Sequence, residues 1–336
     1  MPGKLSRTLS VTATVALATT TAATLSAPAR AATTTTTAVT RTVAAAVGTA
    51  DDGASVVSTN WLDGRTVDVR ISSPAVGATV PVRMLVPPGW SPTATRTWPV
   101  LYLLQGAHDD YTSWTRETSI EAFSATRDVL VVMPSAGPTG IPTQWFNGGA
   151  GKPDYEAFQV TELWQLLQRD YHAGAVRSVA GVSTGGYGAV MMAEHHPGAF
   201  AAVASYSGIL NTTFFGMPQV VDGIVLRENL DPNSLWGDPT ADAALWADDN
   251  PYAHIANLSG TKLFISQGTG AFNDPNQTGG VLEATLFPQF ISFLTQLGAL
   301  PATVDMYLGG VHDWSSWQGE FTKSWPLLAS GLGLPS

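Results

Sequence analysis

Residues 179–188, near the middle of the chain, constrain the possible folds more than any other stretch. An apolar run ends in Gly-Val-Ser-Thr-Gly at 181–185, and a helix is predicted directly afterwards. A Gly-x-Ser-x-Gly pattern between a strand and a helix is typical of a nucleophile elbow. The turn is so tight that its serine adopts a strained backbone conformation and bulky neighbours would collide. We therefore predict that the hydroxyl of Ser183 stands clear of the sheet, in front of a helix N-terminus that favours negative charge.

The N-terminus has the features of a secretory signal peptide over residues 1–31. Lys4 and Arg7 precede an apolar run over residues 9–25, and residues 29–31 form a small-x-small cleavage site. The run is too weakly apolar for a membrane span, so we expect a secreted protein without an integral membrane segment. The alternative is an uncleaved and disordered N-terminus.

Composition divides the remaining chain into a leader and one domain. Residues 32–53 are a Thr/Ala-rich segment of low complexity, which predicts a disordered leader. Residues 54–336 are long enough for a single large α/β domain, and the whole chain is 44% hydrophobic and 12% charged. These proportions are those of a compact, enzyme-like domain with an apolar core.

Charge and cysteine content exclude several classes of function. The net charge is −10 at pH 7, which disfavours binding to nucleic acid. The chain contains no cysteine, so it has no disulfide, no thiol nucleophile and no cysteine-bound metal. The stability of the fold must therefore come from the packing of its core.

Apolar runs and segments with helical spacing alternate along the domain. The predicted strands are residues 66–71, 79–86, 98–104, 129–133, 178–182, 201–206, 262–266 and 303–308, and the main predicted helices are residues 113–125, 155–171, 189–196, 281–297 and 315–332. The first two strands are predicted to form an antiparallel edge pair. The later alternation predicts a mostly parallel sheet with helices on both faces. We expect the irregular residues 207–256 to form an insertion over the C-terminal edge of the sheet, where active sites lie in such folds.

A catalytic serine needs a base within hydrogen-bonding reach, because its free hydroxyl is a poor nucleophile. Among the six histidines, only His254 and His312 follow Ser183 beyond its own helix. His254 falls in the irregular insertion, whereas His312 follows the last predicted strand at the functional edge, so we predict that His312 is the base. His195 and His196 have no third ligand at a useful sequence spacing, and we therefore predict no metal site.

Two carboxylates are candidates for the acid that orients the base. Asp274 lies in the loop after the strand at residues 262–266, the usual position, and Glu283 lies at the head of the next helix. Spacing alone slightly favours Asp274. For the oxyanion hole, which needs two backbone N–H groups, we predict Thr184, next to the serine, and Ala107, in the loop after an earlier buried strand.

Five short motifs are specific in combination. They are Tyr102-Leu103-Leu104-Gln105-Gly106, Asp109-Asp110-Tyr111-Thr112-Ser113-Trp114, Leu235-Trp236-Gly237-Asp238, Val281-Leu282-Glu283-Ala284 and His312-Asp313-Trp314-Ser315-Ser316-Trp317. With them, residues 82–328 resemble the esterase D-like group, and within it the secreted mycolyltransferases of the antigen 85 type. The resemblance implies a single-domain α/β-hydrolase fold and a Ser-Glu-His triad formed by Ser183, Glu283 and His312. It implies the same two oxyanion amides, and it moves the preferred acid from Asp274 to Glu283.

The loop after the first buried strand differs from the mycolyltransferase pattern. It carries Gln105 and His108, where the resembling enzymes have an acidic residue and a nearby arginine that help to hold a sugar acceptor. We predict that both residues contact substrate, together with the aromatic residues Trp114, Trp145 and Trp314. The alternative for the aromatic residues is packing in the core.

These features predict a secreted or cell-wall-associated serine enzyme that acts on acyl esters without a cofactor. Water as the acyl acceptor would make it an esterase, and a sugar or glycerol acceptor would make it an acyltransferase. The alternative is a catalytically idle cell-wall or matrix-binding protein that keeps the fold. Such a protein would be expected to lose Ser183 or His312, and the chain retains both.

Overall fold

Nine strands in the described part of the chain form one sheet, in the order β1-β2-β3-β5-β4-β6-β7-β8-β9. The computed structural model describes residues 48–270 and 278–336, so the predicted signal peptide and the alternative acid Asp274 lie outside the described residues. The strands are β1 Ser55–Trp61, β2 Thr66–Ser73, β3 Ala78–Leu85, β4 Trp98–Leu104, β5 Leu130–Pro134, β6 Ala173–Val182, β7 Ala202–Tyr206, β8 Lys262–Gly268 and β9 Thr303–Tyr307.

The sheet is antiparallel at one edge and parallel across the rest. Neighbouring strands are antiparallel in the series β1, β2, β3 and β5. They are parallel in the series β5, β4, β6, β7, β8 and β9. The predicted antiparallel edge pair is β2 and β3, and β1 adds a further edge strand. The prediction of a mostly parallel sheet is confirmed.

Helices cover both faces of this sheet. They are α1 Ser113–Glu117, α2 Ile120–Ser124, α3 Tyr155–Ala157, α4 Leu163–Asp170, α5 Thr184–His195, α6 Met217–Arg227, α7 Asn233–Trp236, α8 Ala243–Asp248, α9 Pro251–His254, α10 Thr278–Leu297 and α11 Trp314–Leu332, with a π-helical turn at Phe158–Glu162 between α3 and α4. None of these helices, in the ranges that the structure covers, has the length and apolar character needed to cross a membrane.

Strand β4 shows how the two cores arise from one apolar run. Successive side chains of a strand point to opposite faces. Val100, Tyr102 and Leu104 therefore pack in the core beneath α4, α5 and α10, while Leu101 and Leu103 pack in the core beneath α1, α2 and α11. Burial on both faces explains why the sequence of β4 is continuously apolar instead of alternating.

Three segments differ from the sequence prediction. The helix predicted over residues 113–125 is broken at Thr118, whose backbone is extended. The insertion predicted to be irregular contains α6 to α9, and α6, α7 and α8 pack around the apolar cluster that includes Trp236 and Trp246. Residues 48–53, predicted to belong to the disordered leader, lie against α4: Ala50 is buried, and the Gly48 amide donates to Asp170 at 2.8 Å. These segments are stabilised by tertiary packing, which cannot be predicted from the local periodicity of the sequence.

Close backbone contacts hold the turn between β6 and α5. Ser183 has φ 55° and ψ −120°, a strained conformation for a residue with a side chain. A Cβ atom on Gly181 would lie 2.1 Å from the carbonyl oxygen of Gly185, and a Cβ atom on Gly185 would lie 2.3 Å from that of Gln105. Both glycines of the pattern are therefore required by contact between backbone atoms, which cannot move aside as a flexible side chain can.

The elbow gives the first testable prediction. Gly181→Ala should lower the free energy of unfolding by about 2 kcal/mol or more, because the added methyl group overlaps the backbone of the turn. Gly319→Ala is the matched control, since a Cβ atom there meets nothing within 4 Å. It lies on the exposed side of α11, so it should raise the unfolding free energy by about 0.5–1 kcal/mol. Urea denaturation measures both, and equal stability of the two variants would contradict this explanation of the glycine.

Candidate active site

The side chains of Ser183, His312 and Glu283 form a continuous chain of hydrogen bonds. The Ser183 hydroxyl lies 2.9 Å from Nε2 of His312, and Nδ1 of His312 lies 2.8 Å from a carboxylate oxygen of Glu283. A proton on Nδ1 donated to the carboxylate leaves the Nε2 lone pair free to accept the serine proton. The His312 side chain is 8% exposed and that of Glu283 is fully buried, so little water competes for these contacts.

Other groups fix the buried carboxylate of Glu283. Its second oxygen accepts hydrogen bonds from the Ser207 hydroxyl at 2.6 Å and from the Gly268 amide at 2.7 Å. The indole N–H of Trp317 donates to Ser207 at 3.0 Å. Charge-assisted bonds of this kind compensate for the removal of a carboxylate from water. Ser207 was not among the predicted site residues. Its position directly after β7, at the C-terminal edge of the sheet, could have indicated it.

Packing also orients the imidazole ring of His312. The edge of Trp317 contacts the ring, with centroids 4.9 Å apart and planes at 86°. The His312 amide donates to the Gly279 carbonyl at 3.0 Å, which ties its loop to the start of α10. Nearby, burial raises the pKa of Tyr307, and the negative charge of Glu283 adds to this effect, so the phenol stays neutral.

The two predicted oxyanion residues lie on either side of Ser183. Thr184 begins α5, and Ala107 follows Gly106, where a Cβ atom would lie 3.4 Å from that of Ser183. The buried Gln105 amide donates to the carbonyls of Asp109, in the loop that carries Ala107, at 2.6 Å and of Gly137, in the segment after β5, at 3.0 Å. These two hydrogen bonds position the loop backbone beside the serine.

A largely apolar cleft of about 550 Å³ opens above Ser183 and His312. Side chains from β7–α6, from α6 and from α10 form much of its wall, and they are Ile209, Val220, Ile224, Leu282 and Leu286. The sequence did not reveal this wall, because its residues come from the segment predicted to be irregular and from a helix face. Residues 207–256 were expected to lie over the C-terminal edge of the sheet, and the wall residues Ile209, Val220 and Ile224 agree with this position.

The residues predicted to bind substrate divide into two groups. His108 and Trp314 line the cleft, and Nδ1 of His108 is hydrogen-bonded to Glu228 at the end of α6. Gln105, Trp114 and Trp145 do not line it. Gln105 braces its own loop, and the buried Trp114 donates its indole N–H to the Leu104 carbonyl at 3.0 Å. Trp145 is buried beside a second cavity near α5 and α8. A loop sequence places a residue near a site but does not give its side-chain direction.

Comparisons with known proteins agree with this architecture. The family model described as "Putative esterase" matches residues 73–328. Esterase Rv1288 of Mycobacterium tuberculosis is 29% identical over 246 residues, which are 69% of this chain and 53% of that protein. Diacylglycerol acyltransferase/mycolyltransferase Ag85B of Mycobacterium intracellulare is 27% identical over 259 residues, covering 71% of this chain and 77% of its own length.

A solved structure extends the similarity to three dimensions. Mycobacterium tuberculosis MPT51 (FbpC1) has a TM-score of 0.62 and 21% sequence identity, over 77% of this chain and 96% of that one. The chain spans about half the length of Esterase Rv1288, so that protein's remaining part has no counterpart in the alignment. The sheet and its helices have the α/β-hydrolase fold, and, because the family model covers more than half of the sequence, the chain belongs to this esterase family.

Proposed function

We propose that this protein is a secreted serine enzyme that cleaves acyl esters through an acyl-serine intermediate. The observation that carries the proposal is the hydrogen-bonded sequence Ser183–His312–Glu283 at the base of an apolar cleft. The names of the similar proteins, an esterase and an acyltransferase, support the same chemistry. Secretion rests on the signal-peptide features of residues 1–31.

In the first half of the reaction, the Ser183 oxygen attacks the ester carbonyl while Nε2 of His312 accepts its proton. The amides of Ala107 and Thr184 stabilise the oxyanion, and Glu283 stabilises the imidazolium. When the tetrahedral intermediate collapses, the carbon–oxygen bond to the alcohol breaks and His312 protonates the departing alkoxide. The acyl group remains bound to the serine oxygen.

In the second half, His312 removes a proton from water or from an acceptor alcohol, which attacks the acyl-serine. Attack by water releases a free acid, and attack by an alcohol releases a new ester. The apolar wall formed by residues such as Ile224 and Leu286 suits the hydrocarbon part of an acyl group. We infer that His108, which lines the cleft and is hydrogen-bonded to Glu228, contacts the polar part of an acceptor.

The products distinguish a hydrolase from an acyltransferase. The protein is incubated with a p-nitrophenyl acyl ester, alone and with glycerol or a disaccharide, and the products are identified by mass spectrometry. We expect released acid in every case, and acylated acceptor in addition if the enzyme is a transferase. Absence of both products with donors of every chain length would contradict the proposal and favour a binding protein without catalysis.

The nucleophile is tested by Ser183→Ala. We expect ester hydrolysis to fall about 10⁴-fold or more, because no other group replaces the attacking oxygen. Ser58→Ala, at an exposed position of the edge strand β1, is the matched control and should keep the wild-type rate. Chromogenic assays measure both, and equal rates for Ser183→Ala and wild type would remove Ser183 as nucleophile.

The identity of the acid is tested by comparing two isosteric variants. Glu283→Gln should lower kcat about 10³- to 10⁴-fold, because the amide cannot stabilise the imidazolium by charge. Asp274→Asn should stay within about twofold of wild type. Circular dichroism shows that both variants are folded. A greater loss from Asp274→Asn than from Glu283→Gln would assign the acid to Asp274 instead.

The chain-length preference is tested at the wall of the cleft. Gly223 lies on the cleft-facing side of α6, and a Cβ atom there has open space around it. Gly223→Leu should reduce kcat/KM for long acyl chains about tenfold or more relative to butyrate esters, because the new side chain displaces two or more methylene groups. Gly319→Leu, on the exposed side of α11, is the control. If kcat/KM depends on acyl-chain length in Gly223→Leu as it does in wild type, the acyl group does not bind along this wall of the cleft.

A further inference from the structure

Three helices end at one point on the surface, away from the catalytic serine. Helix α5 ends at His195, α8 at Asp248 and α9 at His254. One ring nitrogen of each histidine and one carboxylate oxygen of Asp248 all lie within 4.8 Å of one another. Because α5 starts beside Ser183 and has 12 residues, this cluster lies about 18 Å along the helix axis from the elbow.

A carboxylate behind His195 orients its ring. The two oxygens of Glu156 lie 2.9 and 3.0 Å from Nδ1, so Nε2 points the other way, toward Asp248. Nε2 lies 3.1 Å from the backbone carbonyl oxygen of Asp248. This carbonyl is not one of the clustered ligand atoms, so the Nε2 proton donated to it would be released when a metal ion binds in its place. A carboxylate–histidine pair behind the ligand nitrogen is the usual second layer of a protein metal site.

The local charge favours a cation at this point. The carboxylates of Glu156 and Asp248 lie beside the C-terminal end of α5, which carries partial negative charge. The two carboxylates therefore bring negative charge to this cluster, which a bound metal ion would balance.

We propose that His195, Asp248 and His254 bind one divalent transition-metal ion, with zinc as the best match. Two imidazoles and one carboxylate suit zinc, whereas calcium and magnesium prefer sites built from oxygen ligands. Sequence spacing gave no third ligand for His195, but the fold supplies two from the insertion. The ion would clamp the end of the nucleophile helix to α8 and α9, in a chain that has no cysteine for a disulfide. This proposal does not depend on the catalytic activity.

The neighbouring His196 provides a matched control. Its Nε2 lies 2.9 Å from Glu156, yet its ring is not among the three clustered ligands. It is therefore a histidine of the same surface, next to the same carboxylate, that the proposed site does not use. Loss of binding in a His254 variant but not in a His196 variant would separate a built site from chance binding to surface histidines.

Zinc titration of the untagged full-length protein, after treatment with a chelator, tests the proposal. Isothermal calorimetry and equilibrium dialysis should give one zinc ion per chain, with a dissociation constant in the micromolar range or below. His254→Ala and Asp248→Ala should each weaken binding at least tenfold, and Glu156→Gln should weaken it about 10- to 100-fold. His196→Ala should bind within threefold of wild type. Proton release on binding should appear as a buffer-dependent enthalpy.

Thermal unfolding provides the second readout. Each metal-free variant should unfold cooperatively, which shows that it is folded, and zinc should raise the midpoint of wild type and His196→Ala but not of His254→Ala. The proposal is overturned if wild type shows no saturable binding. It is also overturned if His254→Ala binds zinc as tightly as wild type, or if His196→Ala loses as much affinity as His254→Ala.

Discussion

The strained backbone of Ser183 is the constraint on which the rest of the site depends. A residue with positive φ costs about 1–3 kcal/mol and persists only where its surroundings over-determine it. Here the Ser183 amide donates to Tyr206 of β7 at 2.8 Å, and the Ser183 carbonyl accepts from Tyr187 of α5 at 3.0 Å. With glycine on both sides, the chain can pass directly from the centre of the sheet into a helix, and the hydroxyl is left at the edge of the strand.

The parallel sheet then brings the other parts of the site to the same edge. Ser207 follows β7, Gly268 ends β8 and His312 lies beyond β9. Three successive strand ends therefore supply groups that form or hold the hydrogen-bonded chain from Ser183 to the Glu283 carboxylate. Only Glu283 comes from a helix, and its carboxylate accepts hydrogen bonds from Ser207 and Gly268. This arrangement places the carboxylate out of water at a point where several fixed donors already form hydrogen bonds to it.

The sequence predicted the parts of the site that depend on local patterns and strand order. The elbow has a steric signature, and His312 follows from the order in which strand ends meet at one edge. The choice between Asp274 and Glu283 did not follow from spacing, and only the family resemblance favoured Glu283. The directions of side chains such as Gln105 and Trp114 were not predictable, because each donates to a backbone carbonyl that only folding brings beside it. The same limit applied to His195 and His254, which the fold brings together from separate helices.

The central claim is that Ser183 becomes acylated during turnover. The most direct measurement is acid quenching of the protein during reaction with a p-nitrophenyl acyl ester, followed by proteolysis and peptide mass spectrometry. The account predicts a mass increase equal to the acyl group on the peptide that contains Ser183, with fragmentation placing the group on its oxygen. An acyl group on a different residue would contradict the account. So would the absence of any acylated peptide under conditions in which a burst of p-nitrophenol shows that an intermediate accumulates.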